Sequence, residues 1–242
     1  TGVVDEDGLS YTVPEDLLAH WRHPALLLSQ TCGYPLVTLL ANVQTVGCFH
    51  YSAPGCEGRN YRSLLVAREA DGGKSLADFH GRRVACNSPD SQSGYNVLLK
   101  MIAPLSRDGR FFSTVAFSGS HRQSLRELQQ GTADIAAIDC VTWALLQRHQ
   151  PEALAGLTVI AHSPLAPGLP LITSATTPAA TLELLREALQ QLVSDERYQP
   201  LCEALFICGY SDMRRADYQP LLAWREAVSY THLRAHETGA YL

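Results

Sequence analysis

The fold is decided by residues 117–139, FSGSHRQSLRELQQGTADIAAID. An apolar run ends at Ser-Gly-Ser-His, and the residues from 121 to 130 then carry the apolar spacing of a helix. Gly131 stands where a helix C-cap is expected, and ADIAAID is typical of a buried strand. The stretch therefore predicts strand, helix and strand in succession, the repeating unit of an α/β sheet.

The same alternation of short strands and longer helices runs through most of the chain. It predicts an α/β fold of two lobes, each a mainly parallel sheet flanked by helices, with a ligand cleft between them. Strands continue after the stiff connector SPLAPGLP (163–170), so we expect the chain to cross back into the first lobe. The predicted boundaries are 1–80 and 171–228 for lobe 1, and 81–170 for lobe 2.

Both ends of the chain fit this scheme poorly. Residues 229–242 support neither a helix nor a strand, and we interpret them as a non-native tail. The chain opens on TGVVDEDGLS, with no Met and no visible signal peptide. We expect the first lobe to be truncated on its N-terminal side.

Composition excludes several classes of function. A formal net charge of -5 gives no general attraction to nucleic acid, so an anion site has to be built locally. No apolar run approaches the roughly 20 residues that span a bilayer, so direct membrane insertion is not expected. The 7 cysteines form no CxxC pair, and we predict free thiols, no metal site and no cofactor. A bridge between Cys48 and Cys56 remains an open alternative.

Three segments place small polar residues between a strand end and a helix start: SQTCGYP (29–35), NSPDSQSGYN (87–96) and FSGSHRQ (117–123). Ligands of open α/β sheets bind outside strand ends, where helix N-termini present unpaired N–H groups to anions. The candidate donors of the later two segments are Ser91, Ser93, Gly94, Ser118, Ser120 and His121. The alternative for each serine is ordinary helix capping.

Asp139 ends a buried strand, where an isolated carboxylate is costly unless it has a partner. It either caps the next helix or accepts a hydrogen bond from a ligand cation or hydroxyl. Tyr34 and Tyr95 are candidate walls of the cleft, with core packing as the alternative.

These segments carry a resemblance to a known family. LLLSQTCGYPL, YRSLLVARE, LADFHGRRVACNSPDSQSGYNVL and the opening stretch resemble the phosphate/phosphite/phosphonate-binding proteins of ABC transporters, a branch of the type 2 periplasmic binding proteins. The resemblance covers roughly residues 20–225. It is most specific in the SGY segment and in SGSH, GTAD and AID.

The resemblance implies two lobes that close on a small oxyanion such as a phosphonate, phosphate or phosphite, which is then passed to an ABC permease. By position, the second lobe would hold the anion through its serine- and glycine-rich junctions. The first lobe would face it with Thr31, Cys32, Gly33 and Tyr34, and Asp139 would take the ligand's non-anionic end.

The resemblance also implies a periplasmic or extracytoplasmic location, whereas the missing signal peptide and the thiols leave a cytoplasmic ligand sensor as an alternative. A second alternative is an enzyme on the same fold, similar to a lyase of the menaquinone pathway, with His121 or Asp139 as base and Cys32 as nucleophile. No catalytic residue is predicted under the preferred interpretation.

Overall fold

The computed structural model describes residues 3–4, 10–11, 14–106 and 111–229. Its strands, in chain order, are β1 (Val3–Val4), β2 (Ser10–Tyr11), β3 (Ser29–Gln30), β4 (Gln44–Tyr51), β5 (Asn60–Tyr61), β6 (Ser63–Arg68), β7 (Arg83–Cys86), β8 (Thr114–Phe117), β9 (Ile135–Asp139), β10 (Leu157–His162), β11 (Ala166–Pro167), β12 (Pro170–Thr173) and β13 (Ile207–Ser211). Its α-helices are α1 (Leu17–Trp21), α2 (Gly33–Thr38), α3 (Val97–Ile102), α4 (His121–Gln130), α5 (Cys140–His149), α6 (Ala179–Ser194), α7 (Gln199–Ala204) and α8 (Pro220–Ser229). A π-helical turn, Gln92–Asn96, leads into α3.

The larger sheet has the spatial order β10-β6-β9-β7-β8. The three strands β8, β7 and β9 pair in parallel, as helix-linked strands do. Strand β6 runs antiparallel to both β9 and β10. The expected two-lobed α/β fold is present, but this sheet is mixed rather than mainly parallel.

The smaller sheet has the order β13-β4-β12-β3, and every neighbouring pair in it is antiparallel. Strands β3 and β4 are joined through α2 and point the same way, but β12 returns late in the chain and inserts between them. The prediction of a mainly parallel first sheet is therefore wrong. The physical reason is that the returning strand takes the position between two parallel ones.

Two chain segments pass between the sheets, and they lie side by side. Strands β5 and β11 form an antiparallel ribbon in which Tyr61 pairs with Ala166 and Asn60 with Pro167. Next to it the Ser163 backbone N–H donates to the Ser63 carbonyl at 2.8 Å. The lobe boundaries remain a prediction, and the pairing of β6 in the larger sheet argues for a first crossing near residue 62 rather than 81.

The opening stretch folds as its sequence predicts. Helix α4 begins after Ser120, whose hydroxyl accepts from the Gln123 backbone N–H at 3.1 Å. It ends at Gly131, which adopts a left-handed φ of 72° that favours glycine. Leu125 and Leu128 are fully buried and dock the helix on the larger sheet, so that its first residue, His121, stands at the end of β8.

Two predictions concern the rest of the chain. The interpretation of 229–242 as a non-native tail lies outside the described residues apart from Ser229. Within the described part, none of the helices has the length and apolar character that a bilayer span requires.

Candidate functional site

A cavity of about 230 Å³ lies between the two sheets, where strand ends and helix starts from both of them meet. Its lining includes six of the residues that the sequence singles out: Thr31, Cys32, Ser91, Ser93, His121 and Asp139. The first two follow β3 of the smaller sheet. On the larger sheet, Ser91, Ser93 and His121 follow strands, and Asp139 is the last residue of β9. The cavity therefore has walls from both lobes.

Ser93, His121 and Asp139 form a polar cluster on the larger-sheet side. The Ser93 hydroxyl and His121 Nε2 are hydrogen-bonded at 2.8 Å, and the same nitrogen lies 3.6 Å from Asp139 Oδ2. The backbone of Ser93 is fixed in turn, because its carbonyl accepts from the Ser63 hydroxyl at 2.8 Å. The cluster thus brings together residues from the ends of three strands, β7, β8 and β9.

The charge of this cluster is set by opposing effects on His121. Desolvation lowers the pKa of the imidazole, while the Asp139 carboxylate and the Ala137 carbonyl act to raise it, and the net direction is downward. A neutral imidazole is therefore favoured at neutral pH. The neutral imidazole and the Ser93 hydroxyl can together donate one hydrogen bond and accept another. The direction of these hydrogen bonds would depend on the ligand that binds.

The smaller-sheet side contributes Thr31 and Cys32. Thr31 is buried, and within the described residues its hydroxyl has no hydrogen-bond partner. Burial raises the pKa of the Cys32 thiol to about 11, although the backbone N–H groups of Gln92 and Ser93 face the sulfur and favour its thiolate. The thiol is thus protonated at neutral pH and a weak nucleophile.

The helix starts around the cavity are capped by the chain's own side chains. Ser91 accepts from the Gly94 N–H at 3.0 Å, and Asp139 Oδ1 accepts from the Thr142 N–H at 2.8 Å. Ser120 caps α4 in the same way. The expectation that several unpaired helix starts aim at one anion is therefore met only in part, and side-chain groups supply much of the polar lining.

Both sequence-based interpretations of Asp139 find support in the geometry. The carboxylate is the cap of α5, and its second oxygen also accepts from the Thr142 hydroxyl. The same oxygen borders the cavity beside His121. Capping and a role towards a ligand are compatible, because a carboxylate has lone pairs for both.

Several other predicted residues do not line this cavity. Gly33 packs against the end of the chain, where an added Cβ would lie 2.6 Å from Leu221 and 2.7 Å from Tyr218. At Gly94 an added Cβ would collide with the Asn87 side chain, so the close approach is to protein and not to open space. The Ser118 hydroxyl is held by that of Ser124 at 2.7 Å.

The two tyrosines and Ser120 complete this set. Tyr95 packs edge-on against Phe117 with ring centroids 5.3 Å apart. Tyr34 is buried and borders a second, adjoining cavity of about 780 Å³ rather than the first. Ser120 serves as the α4 cap, which is the structural alternative that the sequence left open.

The structure adds lining residues that sequence reasoning missed: Leu17, Trp21, Gln30, Pro35, Asn87, Ser88, Asp90, Gly119 and Leu169. Several of them lie inside the three junction segments, so the sequence predicted the segments correctly but did not identify which of their residues line the cavity. Trp21 lies outside these segments, and nothing in the sequence pointed to it. Its indole N–H donates to the Gln30 carbonyl at 3.1 Å, which fixes the ring beside the cavity.

Charge in the cavity wall is unusual for an anion site. The acidic lining residues are Asp90 and Asp139, and no Lys or Arg of the described chain is among the lining residues. An anion would be held by hydroxyl, amide and imidazole donors. The two carboxylates would favour a ligand that also carries an ammonium or hydroxyl group.

Comparisons with known proteins agree with this architecture. The family described as "ABC transporter, phosphonate, periplasmic substrate-binding protein" matches residues 26–218. No match was found among curated protein sequences.

Solved structures with the same fold include PhnD1 from Prochlorococcus marinus in complex with methylphosphonate, with a TM-score of 0.72, 12% identity, and coverage of 88% of this chain and 82% of that one. A binding protein component of an ABC phosphonate transporter from Pseudomonas aeruginosa has a TM-score of 0.71 and 20% identity, covering 84% of this chain and 69% of that one. A Xanthomonas citri protein bound to ATP has a TM-score of 0.65 and 15% identity, with coverage of 89% and 82%.

Proposed function

This chain belongs to the family of periplasmic substrate-binding proteins of phosphonate ABC transporters, and from that premise we propose that its inter-sheet cavity binds a small phosphonate, phosphate or phosphite. The role in solute binding follows from the family. The ligand class at this cavity and the residues that hold it are our proposal.

The observation that carries the proposal is the unpartnered Thr31 hydroxyl opposite the Ser93–His121 pair. A buried hydroxyl without a partner costs roughly 1–3 kcal/mol, a cost that a bound acceptor oxygen would remove. The donors on the two sides come from different sheets. A tetrahedral oxyanion between them would satisfy both and favour closure of the lobes.

The wall charge suggests which end of the ligand faces which residue. Oxygens of the anion would accept from Thr31 and from the hydrogen-bonded Ser93–His121 pair. Asp139 would face the non-anionic end, where an ammonium or hydroxyl group can donate to it. No Lys or Arg lines the cavity in the described part of the chain, so hydrogen bonds from hydroxyl, amide and imidazole groups would hold the anion. Their fixed placement would disfavour anions of another shape.

We propose that the protein acts without catalysis, outside the cytoplasm, and that it passes its ligand to an ABC permease. The high pKa of the Cys32 thiol speaks against its use as a nucleophile. The family description supports a periplasmic setting, and nothing in the comparisons favours the cytoplasmic sensor.

Isothermal titration calorimetry tests the ligand class. The panel contains methylphosphonate, an aminoalkylphosphonate, phosphite and phosphate, with a sulfonate and a carboxylate of similar size as decoys. We expect saturable binding of at least one phosphorus oxyanion and none of the decoys. Absence of binding across the panel, with no thermal shift, would refute the proposed ligand class.

Variants test the residues. Ser93→Ala and His121→Ala should each weaken binding by roughly 1–3 kcal/mol, about fivefold to 150-fold, since each breaks up the pair that donates to the anion. Ser194→Ala and His162→Ala are matched controls, because both side chains lie away from the cavity. If the first two variants bind as tightly as the controls, the oxyanion lies elsewhere.

A further inference from the structure

Two thiols lie together beside the point where the chain crosses between the sheets. Cys56 Sγ and Cys140 Sγ are 3.4 Å apart. All seven cysteines are within the described residues and are free thiols, and this is the one sulfur–sulfur contact found among them. Cys56 lies between β4 and β5, and Cys140 is the first residue of α5.

The surroundings hold the two thiols in place. Gly55 has a left-handed φ of 102°, and an added Cβ there would lie 3.0 Å from the Cys140 Cβ, so only glycine allows the loop to approach this closely. The loop is tied down by Arg62, which donates to the Gly55 carbonyl at 3.2 Å and to Glu57 at 2.5 Å. The Cys140 backbone N–H donates to the Arg62 carbonyl at 3.0 Å.

We propose that Cys56 and Cys140 are a redox pair that forms a disulfide linking the loop of the smaller sheet to the start of α5 on the larger one. The sulfurs need to approach by little more than 1 Å to reach the bonding distance of about 2.05 Å. The Cys48–Cys56 bridge that the sequence left open is not favoured, because Cys56 faces Cys140 while the buried Cys48 thiol donates to the Phe49 carbonyl.

The chemistry is thiol–disulfide exchange with a small-molecule or protein disulfide as the oxidant. Cys56, the more accessible of the two, attacks one sulfur of the oxidant and releases one thiolate. Cys140 then attacks the Cys56 sulfur, which forms the intramolecular bond and expels the second thiolate. The two protons of the protein thiols end on the two released thiolates, so two electrons pass from the protein to the oxidant.

Backbone groups favour Cys140 for the second step. In the reduced pair the hydrogen bond from the Cys56 thiol is the largest of the effects that lower the pKa of Cys140. The backbone N–H groups of Arg62 and of Cys140 itself act in the same direction, and they remain when Cys56 has become a mixed disulfide. The remaining cysteines are poorer candidates, because no other sulfur–sulfur contact is found among the seven cysteines of the described chain.

The bond would add a third covalent connection between the lobes, beside the two chain crossings. It would also fix the residue that follows Asp139, and with it one wall of the cavity. The inference depends on the thiol geometry alone and stands whether or not the proposed ligand is correct.

The test uses the full chain, equilibrated in buffers from fully reduced to fully oxidised glutathione, quenched in acid, alkylated and mapped by mass spectrometry. In oxidising buffer we expect the number of alkylatable thiols to fall by two from the seven of the reduced chain. We also expect one disulfide-linked pair of peptides that joins Cys56 to Cys140. Closing a loop of this length should raise the midpoint of thermal unfolding on the order of 10 °C.

Cys56→Ser and Cys140→Ser should each abolish the linked peptide, whereas Cys208→Ser, which removes an exposed thiol, should retain it. The mapping of the unaltered chain is decisive even if a variant fails to fold. Seven alkylatable thiols at every buffer ratio, a glutathione adduct on Cys56 without the internal bond, or a linkage to any other cysteine would each overturn the proposal.

Discussion

Replacing Asp139 by Asn removes one negative charge from the cavity wall while keeping the helix cap. The amide oxygen of Asn can accept from the Thr142 N–H as Asp139 Oδ1 does at 2.8 Å, and Asn and Asp are about equally good caps. The substitution therefore separates the two roles of this residue. A structural role should survive it, and an electrostatic role towards the ligand should not.

The size of the effect follows from the distances. Asp139 Oδ2 lies 3.6 Å from His121 Nε2, so an anion that accepts from His121 or Ser93 would lie about 6 Å from the carboxylate. At an effective dielectric constant of about 20, two unit charges at this separation repel by about 2–3 kcal/mol. Removing the charge should tighten the binding of a simple anion about 30-fold to 150-fold.

A ligand with an ammonium group should respond differently, because it loses an attraction of similar size. The assay is calorimetric titration of the unaltered chain and of Asp139→Asn with methylphosphonate and with an aminoalkylphosphonate. We expect the methyl compound to bind more tightly to the variant and the amino compound to gain nothing or to bind less tightly. The ratio of the two affinities is the measured quantity, so a general change in the cavity cancels.

The control is Asp139→Ala, which loses the charge and the cap together and should cost about 1 kcal/mol of unfolding free energy more than Asn does. Unchanged affinity of Asp139→Asn for both ligands would show that Asp139 acts as a helix cap alone. An equal shift for both ligands would show that the carboxylate does not distinguish the two ends of the ligand.

The remaining predictions concern stability. Asp134→Ala should lower the free energy of unfolding, measured by urea denaturation, by about 3 kcal/mol. Arg68 and Arg83 lie 2.8 and 2.9 Å from the Asp134 carboxylate and would lose this buried partner, although both guanidinium groups can regain some water. These arginines hold the pKa of Asp134 well below its usual range, so the unfolded chain binds a proton at this residue before the folded chain does. The carboxylate of Asp134 should therefore stabilise the fold above about pH 4, and this contribution should be lost as the pH falls further. Gly47→Ala should cost about 1–3 kcal/mol by thermal or urea unfolding, since an added Cβ would collide with the ring of Tyr210, whose hydroxyl donates to the Val46 carbonyl at 2.8 Å.

Matched variants test these expectations. Asp195→Ala removes a carboxylate from its pair with the exposed Arg197 and should cost only about 1 kcal/mol. Arg197 lowers the pKa of Asp195 to about 2, so this smaller contribution should also be lost in acid. Gly73→Ala adds a methyl group where no atom lies within 4 Å and should leave stability unchanged within about 0.5 kcal/mol. Equal costs for Asp134→Ala and Asp195→Ala, or for the two glycine variants, would contradict the packing around Asp134 and Gly47.

Local structure was the most predictable part of this protein. Residues 121–130 form the expected helix, Gly131 ends it in a left-handed conformation, and ADIAAID contains the expected strand at Ile135–Asp139. These features depend on neighbours in the sequence, namely a cap, an apolar spacing and a terminating glycine. The family resemblance rested on the same local segments.

Strand pairing was less predictable, because it joins residues that are far apart in the sequence. Strand β12 at Pro170–Thr173 pairs with both β3 and β4, whose paired residues lie more than 120 positions earlier in the chain. Nothing in the apolar pattern of β12 indicates that it inserts between two strands that point the same way. The antiparallel smaller sheet could therefore be learned only from the structure.

The site was predicted at the level of segments and only partly at the level of residues. Ser91 and Ser93 stand two positions apart, yet one caps the helical turn while the other bonds to His121. The choice depends on side-chain direction at the helix start, which composition does not encode. Cys140 was not singled out for any role, because the approach of its partner depends on the fold of a loop more than 80 residues away.

The ribbon of β5 and β11 has a mechanical consequence for ligand capture. Its paired residues, Tyr61 with Ala166 and Asn60 with Pro167, keep the two connecting segments in register. A two-stranded ribbon bends readily about an axis in its own plane, but sliding one lobe past the other would break its hydrogen bonds. We therefore expect the lobes to close by a hinge rotation, which keeps Thr31 facing Ser93.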